Sequence, residues 1–158
     1  MRESAPFHFT TTWRSDADAA TVWATLIDVD RWPQWWPEIS SAQLLDARTS
    51  SAPAVVGPGS RARLEIRSAL GFTLRFGIEV QVEDPPHAMM FTASGDLNGV
   101  GHWSLVEDGP VTTVSILWCV TTTRSLIRLL RPLAPSTHAL AMRSGNSGLN
   151  KWLSQRAW

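Results

Sequence analysis

Phe72-Thr-Leu-Arg-Phe-Gly-Ile-Glu-Val-Gln-Val-Glu83 is the stretch that decides the fold. Phe72, Leu74, Phe76, Ile78, Val80 and Val82 fall on one side of an extended chain, and Thr73, Arg75, Glu79, Gln81 and Glu83 on the other. A two-residue period of this kind marks a strand with one covered and one wet face, as in an antiparallel sheet. The alternation recurs on both sides of this stretch. Upstream, 60–68 sets Ala62, Leu64 and Ile66 opposite Arg61, Arg63, Glu65 and Arg67, and 39–45 reads as another strand. Nearer the N-terminus, Phe9, Thr11 and Trp13 alternate with His8, Thr10, Thr12 and Arg14. Downstream, turns at 84–86, 96–99 and 107–110 separate three more strands, the last over 111–121. Residues 48–59, rich in Ser, Pro and Gly, read as a loop within one domain spanning 1–158.

The period changes in two places. After the first strand, Asp16 or Asp18 can cap a helix whose apolar stripe is Val22, Trp23, Leu26 and Ile27, and a second helical turn over 28–37 is limited by Pro33 and Pro37. After the last strand, Pro132 and Pro135 divide a short helix around 126–131 from a long one. At roughly 100° per residue the long helix gathers His138, Ala141, Met142, Gly145, Gly148, Leu149, Trp152 and Leu153 on one face, with Asn146 at its edge. Arg143, Ser147, Lys151 and Ser154 lie opposite, with Asn150 on the wet side and Leu140 as an exception. Gly145 and Gly148 each cost a helix about 1 kcal/mol relative to Ala. Close approach to the sheet, or room for a ligand, would offset that. The result is an α+β architecture of about seven antiparallel strands curved around a long C-terminal helix. One helix cannot cover such a sheet fully, so an internal cavity of about 300 Å³ or more is expected.

Composition narrows the function. Lys plus Arg and Asp plus Glu both total 14, and a neutral chain lacks the basic excess that phosphate neutralisation requires, so no nucleic-acid partner is expected. Cys119 is the only cysteine, which excludes an intrachain disulfide and a cysteine-built zinc site. No apolar leader opens the chain and no run is long enough to span a bilayer, so a cytoplasmic location is expected. All basic residues but Lys151 are Arg, which reads as a GC-rich coding bias. The 9 Trp, set against no Tyr, suit either core filling or a wall that stacks on flat ligands.

The run ADAATVWATLIDVDRWPQWWPEI resembles the opening signature of the START-like helix-grip (SRPBCC) superfamily, in its polyketide cyclase/dehydrase-like branch. Ala17, Val22, Trp23, Leu26, Asp28 and Trp32-Pro33-Gln34-Trp35 carry the resemblance, joined by the Gly-x-Gly-x-Trp-x-Leu run from Gly99 to Leu105 and by Gly148-Leu149 before Trp152-Leu153. It covers nearly the whole chain and implies the helix-grip fold. The superfamily includes aromatase/cyclases, lipid carriers, plant ligand-binding allergens and chaperone-like binders, so fold alone does not assign function.

Candidate site residues follow from the inward positions. The expected ligand wall is Trp35, Leu64, Ile66, Phe76, Ile78, Phe91, Trp103, Trp118, Met142, Asn146 and Leu149. His138 is the ionisable side chain near the centre of the buried helix face and the candidate acid or base. The resemblance implies that cyclases position enolates with an Arg aided by hydroxyl or Asn groups. Here Arg61, Arg63 and Arg67 alternate toward solvent and no Tyr exists. His8, His87 and His102 alternate outward and form no metal-like pair, so no metal or cofactor is expected. Cys119 points away from the inward Trp118 and Val120, and Gly99-Val-Gly101 lacks the helix of a phosphate loop. Arg124, Arg128 and Arg131 beside Leu126, Ile127, Leu129 and Leu130 read as a short helix closing one end of the cavity, with its Arg side chains in solvent. One such turn anchors weakly, so no stable membrane association is expected.

The leading expectation is a binder of a hydrophobic, aromatic or polycyclic small molecule, polyketide- or lipid-like, acting as monomer or homodimer. A polyketide cyclase or dehydratase using His138 is one alternative. A partner-binding adaptor of chaperone type, using 124–131 as its contact surface, is the other.

Overall fold

The computed structural model describes residues 7–45, 58–122 and 124–155; most of the expected loop over 48–59 lies outside them. Strand β1 (Phe7–Ser15) leads into α1 (Ala19–Ile27), a 3-10 turn (Val29–Arg31) and the one-turn helix α2 (Trp32–Trp35). Six strands follow: β2 (Ile39–Leu44), β3 (Arg61–Arg67), β4 (Thr73–Asp84), β5 (Ala88–Gly95), β6 (Asn98–Asp108) and β7 (Val111–Thr121). The chain ends in α3 (Ser125–Leu129), a 3-10 turn (Arg131–Leu133) and α4 (Ala134–Ser154). All seven strands form one antiparallel sheet in the order β1-β7-β6-β5-β4-β3-β2, so both edges are strands from the N-terminal part of the chain. This is the helix-grip arrangement.

Asp18, not Asp16, caps α1, accepting from the Thr21 N–H at 2.7 Å. α1 is fastened to the sheet by the Ala19 N–H, which donates to Glu107 Oε1 at 2.7 Å, and by Thr112 Oγ1, which donates to the Ala17 carbonyl. Val22, Trp23 and Leu26 are buried as their spacing predicts.

The alternation of β4 needs one correction. Phe76, Ile78 and Val80 are buried, but Val82 is 55% exposed. Val80 pairs with Phe91 and Val82 with Met90, so two steps on β4 match one on β5. The extra residue is a bulge, and beyond it the inward parity inverts. Met90 and Val82 therefore face out together, while Met89 is buried.

α4 is seated through its glycines. A Cβ at Gly148 would run into the Trp35 carbonyl oxygen, and one at Gly145 would stand 2.7 Å from the indoles of Trp13 and Trp36. Trp36 Nε1 donates to the Ala141 carbonyl of the helix at 2.9 Å. Asn150, expected on the wet side, instead donates to the Arg14 carbonyl on β1 at 2.9 Å and to Asn146 Oδ1 at 3.3 Å. It ties the helix to the edge strand.

Gly148→Ala should therefore destabilise the protein by about 1–3 kcal/mol, overpacking outweighing the gain of about 1 kcal/mol in helix propensity. The exposed Ser147→Ala control should be neutral or slightly stabilising. Urea midpoints of the two variants and the parent check this.

Candidate functional site

All seven strands and the N-terminal half of α4 contribute to one cavity of about 400 Å³. Phe7, Phe9 and Trp13 come from β1, Ile39 from β2, Leu64 and Ile66 from β3, and Leu74 and Ile78 from β4. Phe91, Trp103, Val114, Ile116, Trp118 and Val120 continue the wall across β5, β6 and β7, and Ala134, Thr137, His138, Ala141 and Met142 roof it. The helix that is seated on Trp13, Trp35 and Trp36 at Gly145 and Gly148 thus has the cavity beneath it one to three turns earlier.

The floor is an aromatic chain. Trp35 stacks on Trp36 at 5.6 Å, Trp36 lies 5.9 Å from Trp32, and Trp32 lies 5.8 Å from Trp103. Phe91 then meets Trp103 and Trp118 edge-on, each at 5.3 Å. Gly101 makes the last two contacts possible: it sits between Phe91 and Trp118 in register, and a Cβ there would strike both rings. This explains the Gly-x-Gly-x-Trp run without any phosphate. Trp32 Nε1 is satisfied by the Leu26 carbonyl at 3.1 Å.

Among the expected wall residues, Leu64, Ile66, Ile78, Phe91, Trp103, Trp118 and Met142 line the cavity, as does His138. Four others do not. Trp35 is buried beneath Trp36, Phe76 packs edge-on against Trp118, and Leu149 is fully buried in the core. Asn146 is held by Asn150. Inward positions are shared between a packed core and a cavity wall, and periodicity does not separate the two. Phe9, Trp13 and Trp36 were missing from the expected wall. Phe9 and Trp13 could have been found, since both sit on the apolar side of the first strand.

Polar atoms in the wall are few. The imidazole of His138 stacks on Phe9 at 4.0 Å, 9° from parallel, which fixes its plane. Its Nε2 is buried with no hydrogen-bond partner among the described residues, and burial pushes its pKa from 6.5 down to about 4. The ring is neutral at physiological pH, so His138 holds no acid proton of the kind an imidazolium would supply. Glu38, between α2 and β2, also lines the cavity, with a buried and unpartnered Oε2. Trp13 Nε1 is a third buried atom without a partner. Arg67, expected to face solvent, is exposed yet forms part of the rim beside Ser68. Among the described residues no three His, Cys, Asp or Glu side chains converge as a metal site requires.

The basic turn also differs from expectation. Arg124 turns back to the sheet, pairing with Asp96 at 3.2 Å and donating to the Thr73 carbonyl at 2.6 Å. Arg131 lies over the Phe7 ring at 4.2 Å. These two are structural ties, and Arg128 alone of the three is exposed. Among the described residues no helix is long and apolar enough to cross a membrane.

Residues 6–152 match the profile of the family described as polyketide cyclase / dehydrase and lipid transport. The chain belongs to this family. Solved structures agree on the fold. A Thermus thermophilus protein, TTHA0849, superposes with a TM-score of 0.75 at 20% identity, over 96% of this chain and 99% of its own. The Zhui aromatase/cyclase from a Streptomyces species gives 0.74 at 16% identity, over 97% and 96%. A START superfamily protein from Mycobacterium smegmatis gives 0.73 at 18% identity, over 94% and 97%. No curated protein matches the sequence. At these identities the structural likeness shows the helix-grip fold. The family match supports hydrophobic ligand binding or a cyclase role.

The depressed pKa of His138 has a consequence for stability. The unfolded chain takes up a proton near pH 6.5 and the folded one only near pH 4, so acidification across that window favours unfolding. This contribution is absent above pH 6.5. His138→Phe should flatten the difference: between pH 7 and about 4 its urea midpoint should fall less than that of the parent, as parallel titrations would record.

Proposed function

We propose that this family member encloses a flat hydrophobic small molecule, aromatic or polycyclic and polyketide- or lipid-like, in the cavity beneath α4. The observation that carries this is the cavity itself: about 400 Å³ walled by Trp13, Trp32, Trp36, Trp103 and Trp118 with Phe9 and Phe91. Binding draws on apolar burial at roughly 25 cal/mol per Å². Indole faces add offset and edge-on contacts that favour planar ligands. The volume suits a ligand of two to four fused rings.

The cyclase reading is favoured by the family description and by the Zhui aromatase/cyclase among the structural neighbours. Against it, His138 is neutral, which removes the acid role, and among the described residues no carboxylate is bonded to it to orient it as a general base. The carrier reading needs only the wall. The inward ties of Arg124 and Arg131 leave the adaptor reading with little free basic surface.

Native mass spectrometry of the purified protein should show a co-purified small molecule, and polycyclic aromatics should quench Trp emission saturably. Ala141→Phe should fill the cavity from the helix and weaken that binding by about tenfold or more, since overpacking costs ~1–3 kcal/mol. Unchanged affinity in that folded variant would place the ligand elsewhere. His138→Ala separates carrier from enzyme: a carrier turns over no polyketide mimic in either form, whereas a cyclase loses ~10²–10⁴ in rate.

A further inference from the structure

Resting on the ligand-binding reading, we infer that the cavity selects a hydroxyl-bearing ligand, with Glu38 and His138 as the specificity-determining residues that hydrogen-bond to the ligand hydroxyl. Two independent atoms point to it. Oε2 of Glu38 and Nε2 of His138 are each buried, each on a residue that lines the same cavity, and each without a partner among the described residues. A buried polar atom left unpaired costs about 1–3 kcal/mol, so unpartnered polar atoms on residues that line a cavity point to a ligand atom as the missing partner.

The chemistry of the two atoms narrows the class. A carboxylate oxygen is a hydrogen-bond acceptor, so the group that suits Glu38 Oε2 is a donor. Neutral imidazole accepts through one nitrogen and donates through the other, and which one carries the proton is set by its partner. A hydroxyl can donate and accept, so it satisfies Nε2 in either tautomer. A carbonyl or an ether oxygen satisfies it in only one and offers nothing to Glu38. The stack on Phe9 holds the imidazole plane fixed, so the direction of its hydrogen bond is preset. Trp13 Nε1, a donor, is the third unpartnered atom of the wall and can meet an oxygen lone pair. The wall thus offers an acceptor at Glu38, a donor at Trp13 and, at His138, a nitrogen that a hydroxyl satisfies in either tautomer.

The test compares 2-naphthol with 2-methylnaphthalene, which has the same rings and a methyl in place of the hydroxyl. Calorimetric titration of the intact chain at pH 7 should show 2-naphthol binding tighter by about tenfold, the value of one or two buried hydrogen bonds. Glu38→Leu and His138→Phe should each cut that preference, read as the ratio of the two affinities in the same variant, to about threefold or less. Circular dichroism confirms that each variant is folded, and either one suffices if the other fails. Equal affinity of the parent for both probes would overturn the inference and leave the binding reading standing. A tenfold preference that survives in the folded variants would overturn the assignment to these two residues. Binding of neither probe would overturn the ligand-binding reading and this inference with it.

Discussion

Everything in this molecule depends on how α4 is allowed to touch the rest of the fold. At Gly148 the helix backbone lies against the Trp35 carbonyl, and at Gly145 it lies against the indoles of Trp13 and Trp36. No side chain fits in either gap. The Trp36 indole then donates to the Ala141 carbonyl, so the contact is directional as well as close. The second half of α4 is seated tightly on Trp13, Trp35 and Trp36, and the cavity lies beneath its first half.

The same emptiness that makes room for a ligand makes the wall electrostatically demanding. Apolar surface dominates, and three polar atoms, on Trp13, Glu38 and His138, have lost water without gaining a partner among the described residues. His138 shows the effect most clearly: burial alone holds it neutral, with no neighbouring charge needed to explain the shift. An imidazole in this state is a hydrogen-bonding surface for a ligand and a poor reservoir of protons. Carriage and catalysis in this fold differ in small matters of this kind, since a shared scaffold does not decide between them.

Tryptophan serves two purposes here that composition could not separate. Trp23 and Trp35 fill the core, whereas Trp118 faces the cavity. Trp13, Trp32, Trp36 and Trp103 do both, packing against one another and presenting a face to the open space. The indole ring is large enough to span from one region to the other, which lets a small domain carry a sizeable cavity without losing the continuity of its core.

Strand order along the chain, the helical segments and the inward faces were legible in the residues themselves, because burial of one face imposes a period of two on strands and about 3.6 on helices. The glycine pair on the buried face of the last helix signalled close approach, and the structure shows what is approached. Three features were closed to sequence. The bulge that turns Val82 outward depends on pairing with β5, and an added residue leaves no mark in a run that still alternates. The roles of Arg124 and Asn150 depend on which carbonyls the fold brings near them, Thr73 and Arg14, from distant parts of the chain. Most of all, the division of inward residues between core and cavity, with Phe76 and Leu149 packed away and Phe9, Trp36 and Glu38 facing the space, was decided by tertiary structure alone. Periodicity records only that a side chain leaves water. What it meets on the other side is set by the curvature of the sheet and the seat of the helix.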